Sequence, residues 1–460
     1  MSASESDVQH HMVELSRQLT DQSTASPGSD APLRWSTYKQ PRAKIVVNAG
    51  CEEDVETTVR FCNSKAIPFL AQNGANGWSS SFGLDDEGVI INLAGLDHFT
   101  VNEDKTLATI GGGSTVKNTI EAAYANGVQV VTGNCNCVGT IGAYLGGGYG
   151  YLMGHHSFGM DNVVSLRVVT AESILKTVSM TSEPDLFWAM RGAGPNFGIV
   201  TSATVKAFAV TPKENKAWSA LVGFHPDKLE QVVEAIDKLQ LTPDTNVFMY
   251  LASSQDEQHT PIVLIVPFYL HGNEEQGHDF FKALYDIGPL FDQHSVKEYN
   301  EWNAGGDPFC ARGPRKPVYS AGHHRMIPST WRAIWNEFVK FQQLPGASLS
   351  AVLLERYHLS KAQSFPVDST AYAHRDMEFS TIVMGTYEDE ALDAQAEAFG
   401  KRVRQILREN DGYEMPKVYS NFAHGDESNE IVYSTNLPRL RELKKQFDPQ
   451  NRFGHWFPIQ

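Results

Sequence analysis

Short apolar runs and stretches of helical spacing follow one another along the first 210 residues. Lys44-Ile-Val-Val47, Ile67-Pro-Phe-Leu70 and Val89-Ile-Ile-Asn-Leu93 predict strands. Glu52 to Ser64 predicts a helix, because Val55, Val59 and Cys62 recur on one face. A second unit repeats the theme. Thr106–Gly112 reads as a strand and Thr115–Asn126 as an amphipathic helix stopped by Gly127, and Val128–Thr132 leads into a long glycine-rich stretch. Val163–Thr170 and Ile174–Ser179 predict a hairpin, Asp185–Met190 a short helix and Ile199–Ala207 a strand. From Pro212 to about Gly412 the texture changes. Strands are predicted at Trp218–Phe224, Val247–Ala252, Ile262–Tyr269, Leu349–Arg356 and Ser380–Thr386, with helices such as Asp227–Leu239 and Thr330–Gln343 between them. That pattern fits an antiparallel sheet with helices on one face. Past Tyr413 come a strand at Lys417–Asn421 and a helix from Leu437. Residues 1–33 are polar and read as a frayed helix and a Ser/Pro/Gly-rich lead, ordered where it docks. The fold class is α+β.

At 460 residues the chain is too long for one core and suits two or three domains. A net charge of −16 argues against nucleic acid or an anionic membrane as partner, because both reward Lys and Arg. The five cysteines, Cys51, Cys62, Cys135, Cys137 and Cys310, are sparse. Their spacing indicates neither a disulfide framework nor a zinc site, and no metal is expected. The lead lacks the apolar core of a secretory signal and no run reaches the length of a membrane span, so a cytoplasmic enzyme is the expectation.

Three glycine-rich turns stand out: Gln72–Trp78, Gly133–Gly150 and Arg191–Gly198. Val138, Ile141, Tyr144, Leu145 and Tyr149 make the longest of them too apolar for a solvated linker. Glycine lets backbone approach a ligand closely, and its N–H groups can hold a pyrophosphate without Lys. None of the turns is GxxxxGK[ST], and none is GxGxxG between strand and helix with an acid about 20 residues on. HExxH and GxSxG are also missing. Several glycine turns ahead of a strand-rich domain suggest a large dinucleotide held between two lobes.

The chain resembles the berberine bridge enzyme-like group of the vanillyl-alcohol oxidase flavoproteins, which includes 6-hydroxynicotine oxidases. The matching residues are C-x-x-V-G-x-x-G-x-x-L-G-G-G-x-G at Cys135–Gly150, Phe158-Gly-x-Asp-Asn162, Asp185-Leu-Phe-Trp-Ala-Met-Arg-Gly192 and Asn196-Phe-Gly-Ile-Val-Thr201. Later come Ala373-His-Arg375, Tyr419-x-Asn421 and Leu440-x-x-Leu-Lys-x-x-Phe-Asp-Pro-x-Asn-x-Phe453. The resemblance implies a bipartite PCMH-type FAD-binding domain over 34–210 and 413–460, with a substrate domain, 211–412, inserted between. It implies FAD as cofactor, oxidation by hydride transfer, and reoxidation by O2 to give H2O2. FAD contacts are expected from Asn73, Gly74, Ala75, Asn76 and Gly77, from Cys135, Val138, Gly139, Thr140, Gly142 and Ala143, from Gly198, Ile199 and Val200, and from Asn421. The family's first turn normally reads R-S-G-G-H, and its His bonds covalently to the flavin. Here it reads Gln72-Asn-Gly-Ala-Asn76, with Trp78 where many members have Tyr. An amide cannot form that bond. FAD is therefore expected to be non-covalent or held by a single link through Cys135. Val138 stands where a small residue in this family admits oxygen.

The resemblance places a carboxylate base on a substrate-domain strand, but the strand after His374-Arg375 carries Ser380 and Thr381 near that position. Glu355 is the replacement candidate, because Leu353, Glu355 and Tyr357 alternate on one strand face. Tyr419 matches an active-site tyrosine, and Phe422 stands where some members have His. The remaining singled-out residues have plainer readings. Cys135 can be a small buried apolar residue, Asp161 and Asn162 turn residues, and Phe187 and Trp188 core. Arg191 is free to pair with a carboxylate, and His155 and His156 to sit in a loop. The leading function is an FAD-dependent oxidase of a small organic, secondary-metabolite substrate. The alternative is a flavin-containing isomerase or cyclase of the same fold with no net oxidation. Substrate identity and oligomeric state are not legible.

Overall fold

The computed structural model describes residues 3–84, 87–254 and 256–460; Met1 and Ser2 of the lead lie outside the described residues. The N-terminal lead docks through both of its elements. A helix at Ala3–Ser16 buries Leu15 completely, and β1 (Thr24–Pro27) pairs antiparallel with β2 (Ile45–Asn48). β3 (Phe69–Gln72) and β4 (Val89–Asn92) complete a four-stranded sheet in the order β1-β2-β4-β3, whose inner pairings are parallel. The helix Glu52–Ser64 covers it, with Val55, Val59 and Cys62 buried as their spacing predicts.

β5 (Phe99–Val101) and β6 (Leu107–Gly111) open a second sheet. The helix Val116–Ala125 follows, capped by the Thr115 hydroxyl. Of the apolar run Val128–Thr132, two residues form β7 (Val128–Gln129), paired with a short strand further along the chain. β8 (Val163–Val169), β9 (Leu175–Ser179) and β10 (Ile199–Lys206) finish the antiparallel sheet in the order β5-β6-β10-β8-β9. β11 (Phe208–Ala209) is the partner of β7.

β12 (Lys216–Phe224), β13 (Thr245–Ser253), β14 (Pro261–Leu270), β15 (Phe291–Glu298), β16 (Val318–His323), β17 (Ala351–Arg356) and β18 (Phe379–Met384) form a seven-stranded antiparallel sheet in the order β15-β12-β14-β13-β17-β18-β16. Helices Leu229–Lys238, Pro328–Gln342 and Asp393–Arg408 bury one face of it. Alternation assigns the sides. Val247, Met249 and Leu251 of β13 and Val352 and Leu354 of β17 pack under the helices with Ile334, Phe338 and Val403. Phe248, Tyr250, Leu353 and Tyr357 point the other way, toward Tyr149, Phe158 and Tyr419 of the glycine-rich side. The helices fall on one face as the sequence pattern indicates. The strand expected at Lys417–Asn421 does not form. Lys417 makes one bridge to Gly322, and the chain turns through a 3-10 segment at Ser420–Phe422, because the Asn421 side chain is drawn into contacts of its own. Among the described residues, no helix is long and apolar enough to cross a membrane.

Candidate active site

Register on the seven-stranded sheet fixes the carboxylate. Glu355 pairs with Phe248 on one side and Ser380 on the other, so its side chain leaves the face opposite the helices. Burial pushes its pKa from 4.5 up to about 7, against a hydrogen bond from Tyr357 that lowers it. The Tyr357 phenol donates to Glu355 Oε2 at 3.0 Å and accepts from Asn134 Nδ2 at 2.7 Å. Burial also raises the pKa values of Tyr149, Tyr151, Tyr250 and Tyr419, and the Glu355 carboxylate adds to each rise. One carboxylate thus faces a ring of phenols that cannot ionise near neutrality.

Tyr419 stands at the other edge of the same cluster, with its pKa pushed up to about 12, chiefly by burial. Its ring lies 4.4 Å from that of Tyr149 and its hydroxyl accepts from the Gly148 N–H at 3.0 Å. Asn421 Nδ2 donates to the Tyr419 hydroxyl at 2.7 Å and to Ala143 O at 2.8 Å, which ties the C-terminal turn to the short helix Thr140–Leu145. The backbone must bend sharply here, and Gly147 and Gly148 take φ values of +133° and +90°.

The 72–77 turn presents donors. Arg34 donates to Gln72 Oε1 at 2.7 Å and to Gly77 O at 2.6 Å, Arg312 to Gly74 O at 2.7 Å, and the Trp35 N–H to Ala75 O at 3.0 Å. Three of the turn's carbonyls are thus engaged, while the N–H groups of Asn73, Gly74, Ala75, Asn76 and Gly77 find no protein acceptor among the described residues. Gly139 packs against this turn: a Cβ there would meet Asn73 Nδ2 at 2.8 Å, and one on Gly74 would meet the Gly139 N at 2.6 Å. A Cβ on Gly142, by contrast, meets nothing within 4 Å. Thr140 is buried, its N–H bound to Ser114 O, whereas Val138 and Ala143 are half-buried. Gly198, Ile199 and Val200 lie deeper, at the start of β10, where Ile199 and Val200 point into the core and Gly112 packs on Val200 O.

The cysteines require a correction. Cys137 and Cys310, 173 residues apart, form a disulfide, which local spacing does not reveal. The bond joins the glycine-rich stretch to a segment that also reaches the first lobe through Trp35 Nε1 to Phe309 O at 2.6 Å and Asn136 Nδ2 to Asp307 at 2.7 Å. Cys135 remains a thiol, 3.5 and 3.6 Å from the two bonded sulfurs, its pKa raised mainly by burial. Asn76, in the place of the missing His, donates from Nδ2 to Cys137 Sγ at 3.2 Å, while its Oδ1 is buried without a partner.

Other residues take structural parts. Asp161 forms a two-pronged, fully buried ion pair with Arg375, at 2.8 and 2.9 Å. Asn162 holds the carbonyls of His156 and Phe158. Phe187 and Trp188 are core. Among the described residues Arg191 pairs with no carboxylate; it donates to the carbonyls of Phe187 and Ser369 and stacks on Phe187. His155 bonds Asp244 at 2.7 Å and His156 stacks on Phe208. Sequence reasoning missed Asn134, Tyr149 and Tyr372 as members of the site. Tyr149, inside the glycine-rich stretch itself, was the one with a legible signal.

The donors fit FAD. Unpaired N–H groups at one turn, an open approach over Gly142, and the buried, partnerless Gln72 Nε2, Asn76 Oδ1 and Ser114 Oγ suit a large polar ligand better than bulk core. Residues 43–179 match the family described as FAD binding domain, and residues 418–460 the one described as Berberine and berberine like. An FAD-linked oxidoreductase, OXR1, of Pyricularia oryzae is 33% identical over 444 residues, 93% of this chain and 86% of the relative. The solved 6-hydroxy-D-nicotine oxidase of Arthrobacter nicotinovorans superposes with a TM-score of 0.81 at 20% identity, over 96% of this chain and 98% of that one. A glucooligosaccharide oxidase of Acremonium strictum, described with a 6-S-cysteinyl, 8α-N1-histidyl FAD, gives 0.82 at 17% identity, over 98% and 99% of the two chains. The chain belongs to the FAD-linked oxidoreductases, with an FAD binding domain and a berberine-like C-terminal segment.

Proposed function

We propose that the protein is an FAD-dependent oxidase of a small organic substrate from natural-product metabolism, with Glu355 as the base. The observation that carries this reading is a single carboxylate among buried phenols, with a pKa near 7, facing the glycine-rich turns. A base poised near the working pH is half ionised and still basic enough to take a substrate proton. Bound FAD supplies the hydride acceptor, and its reoxidation by O2 would release H2O2.

The chain's own groups have separate tasks. The N–H groups of Asn73–Gly77 and the Gly139–Ala143 segment would hold the cofactor, and Gly198–Val200 would back it from the sheet. Tyr357, fixed by Asn134, holds the Glu355 carboxylate in place. Tyr419, fixed by Asn421 and Gly148, offers its hydroxyl to a substrate oxygen or nitrogen. The aromatic face of the seven-stranded sheet roofs the site against water. Val138 leaves a small side chain beside the cysteine cluster, which fits oxygen access.

A peroxidase-coupled assay of the holoprotein with a panel of small hydroxylated natural products tests the reading. Substrate-dependent peroxide supports it. Product formed anaerobically with no loss of flavin colour supports the isomerase or cyclase alternative, for which the substitution of Asn76 for the linking His is the motivating feature.

A further inference from the structure

Far from the glycine-rich turns, at the edge strand of the seven-stranded sheet, two histidines and two carboxylates converge. Glu274 and His278 lie four residues apart on the helix Glu274–Phe280, so both project from one face. Asp292 and His294 alternate on β15 and share a face of the strand. One ligand atom from each of Glu274, His278 and His294 lies within 4.8 Å of the others. Donors bound at about 2.1 Å to one ion stand roughly 3.4 Å apart in a tetrahedral arrangement and about 4.2 Å apart when opposed, so small side-chain movements bring this set onto one ion.

We propose that Glu274, His278 and His294 form a binding site for one divalent first-row transition ion of the Zn2+ class. His294 Nε2 already lies 2.9 Å from Glu274 Oε1, and its Nδ1 is 2.9 Å from Asp292 Oδ2. A carboxylate on one ring nitrogen leaves the other free to ligate and sets the ring's direction, the usual support for a metal-bound imidazole. Asp292 is itself steadied by the Tyr285 hydroxyl at 3.4 Å. The His278 and His294 rings stand 5.0 Å apart and nearly perpendicular, so they do not stack. His278 Nε2 is buried, makes no hydrogen bond and lies 3.4 Å from Asp292 Oδ2. Two imidazoles favour zinc, nickel, cobalt or copper over calcium and magnesium, which take oxygen donors. Glu274 is 67% exposed, so the fourth position opens to water. A bound ion would clamp the helix Glu274–Phe280 to the edge strand β15, which among the described residues pairs only with β12.

The test uses the flavin-loaded protein stripped with a chelator and dialysed against Zn2+, with metal counted by elemental analysis. The wild type is expected to bind one equivalent that the double variant His278→Gln/His294→Gln lacks. Each single variant and Asp292→Asn should weaken binding at least about tenfold. Flavin content unchanged in every variant shows that the fold is kept. Equal zinc in the wild type and the double variant overturns the proposal. So does an equivalent that survives both imidazole changes and disappears in Cys135→Ser, which would put the ion on the thiol cluster.

Discussion

Tyr357 donates its phenolic hydrogen to Glu355 Oε2 at 3.0 Å while accepting from Asn134 Nδ2 at 2.7 Å. The carboxylate on the seven-stranded sheet is thereby oriented from the glycine-rich stretch. The bond favours the ionised form and opposes the rise that burial imposes on Glu355. In Tyr357→Phe that support is lost. The apparent pKa governing turnover should move up by roughly one pH unit, the equivalent of about 1.4 kcal/mol, so activity at pH 7 falls while activity at pH 9 recovers. An unshifted profile would show that Tyr357 does not act through Glu355.

The disulfide gives a chemical count. The chain has five cysteines, two of them joined, so denaturation of flavin-free protein without reductant should expose three reactive thiols, Cys51, Cys62 and Cys135, and two where Cys135 carries the flavin. Peptide mapping should recover Cys137 linked to Cys310. Because the bond closes a loop of 173 residues, its reduction should cost on the order of 2–4 kcal/mol and lower the unfolding temperature of the holoprotein. Disulfides persist in oxidising compartments, so five free thiols in protein from its native host would favour the cytoplasmic expectation over this bond.

Asp161 and Arg375 are 1% and 2% exposed, and breaking their pair strands a buried charge. Asp161→Ala should destabilise the protein by about 3–5 kcal/mol, read as an early onset of thermal unfolding. The paired change Asp161→Leu/Arg375→Met should recover much of that loss, since no charge is then left without a partner. A wild-type melting curve for Asp161→Ala would mean that water reaches Arg375.

Attachment of the flavin depends on two positions. Asn76 has no ring nitrogen and cannot make the histidyl bond, while Cys135 offers a thiol at the second. Burial keeps that thiol protonated, which slows its attack on a ring. At most one link is expected. After acid precipitation, colour retained in the wild-type pellet and released in Cys135→Ala supports a single thioether. Colour wholly in the wild-type supernatant shows that no link forms. Colour retained in Cys135→Ala contradicts the expectation.

What the sequence revealed, and what it hid, follows from the range of the forces involved. The helix Glu52–Ser64 and the alternation of Leu353, Glu355 and Tyr357 rest on local spacing, and both appear as read. The strand Phe291–Glu298 was invisible because it is an edge strand rich in polar residues, held by backbone pairing with β12. Lys417–Asn421 has strand-like residues, but Asn421 is pulled toward Ala143 and Tyr419, and the chain turns instead. Cys137 and Cys310 meet only once both lobes are folded. Asn134 likewise gains its role only when Tyr357 arrives from another lobe.

The central claim is that Glu355 is the base. Its most direct test is anaerobic flavin reduction, followed as loss of visible absorbance across pH with a substrate that bleaches the holoprotein. Glu355 is protonated below its raised pKa and ionised above it, so the wild-type rate should rise with pH and level off beyond about 7. Glu355→Gln should be slower by about 100-fold or more and should lose that rise, while still binding FAD. A variant that reduces its flavin at the wild-type rate, with the same pH profile, would contradict the account.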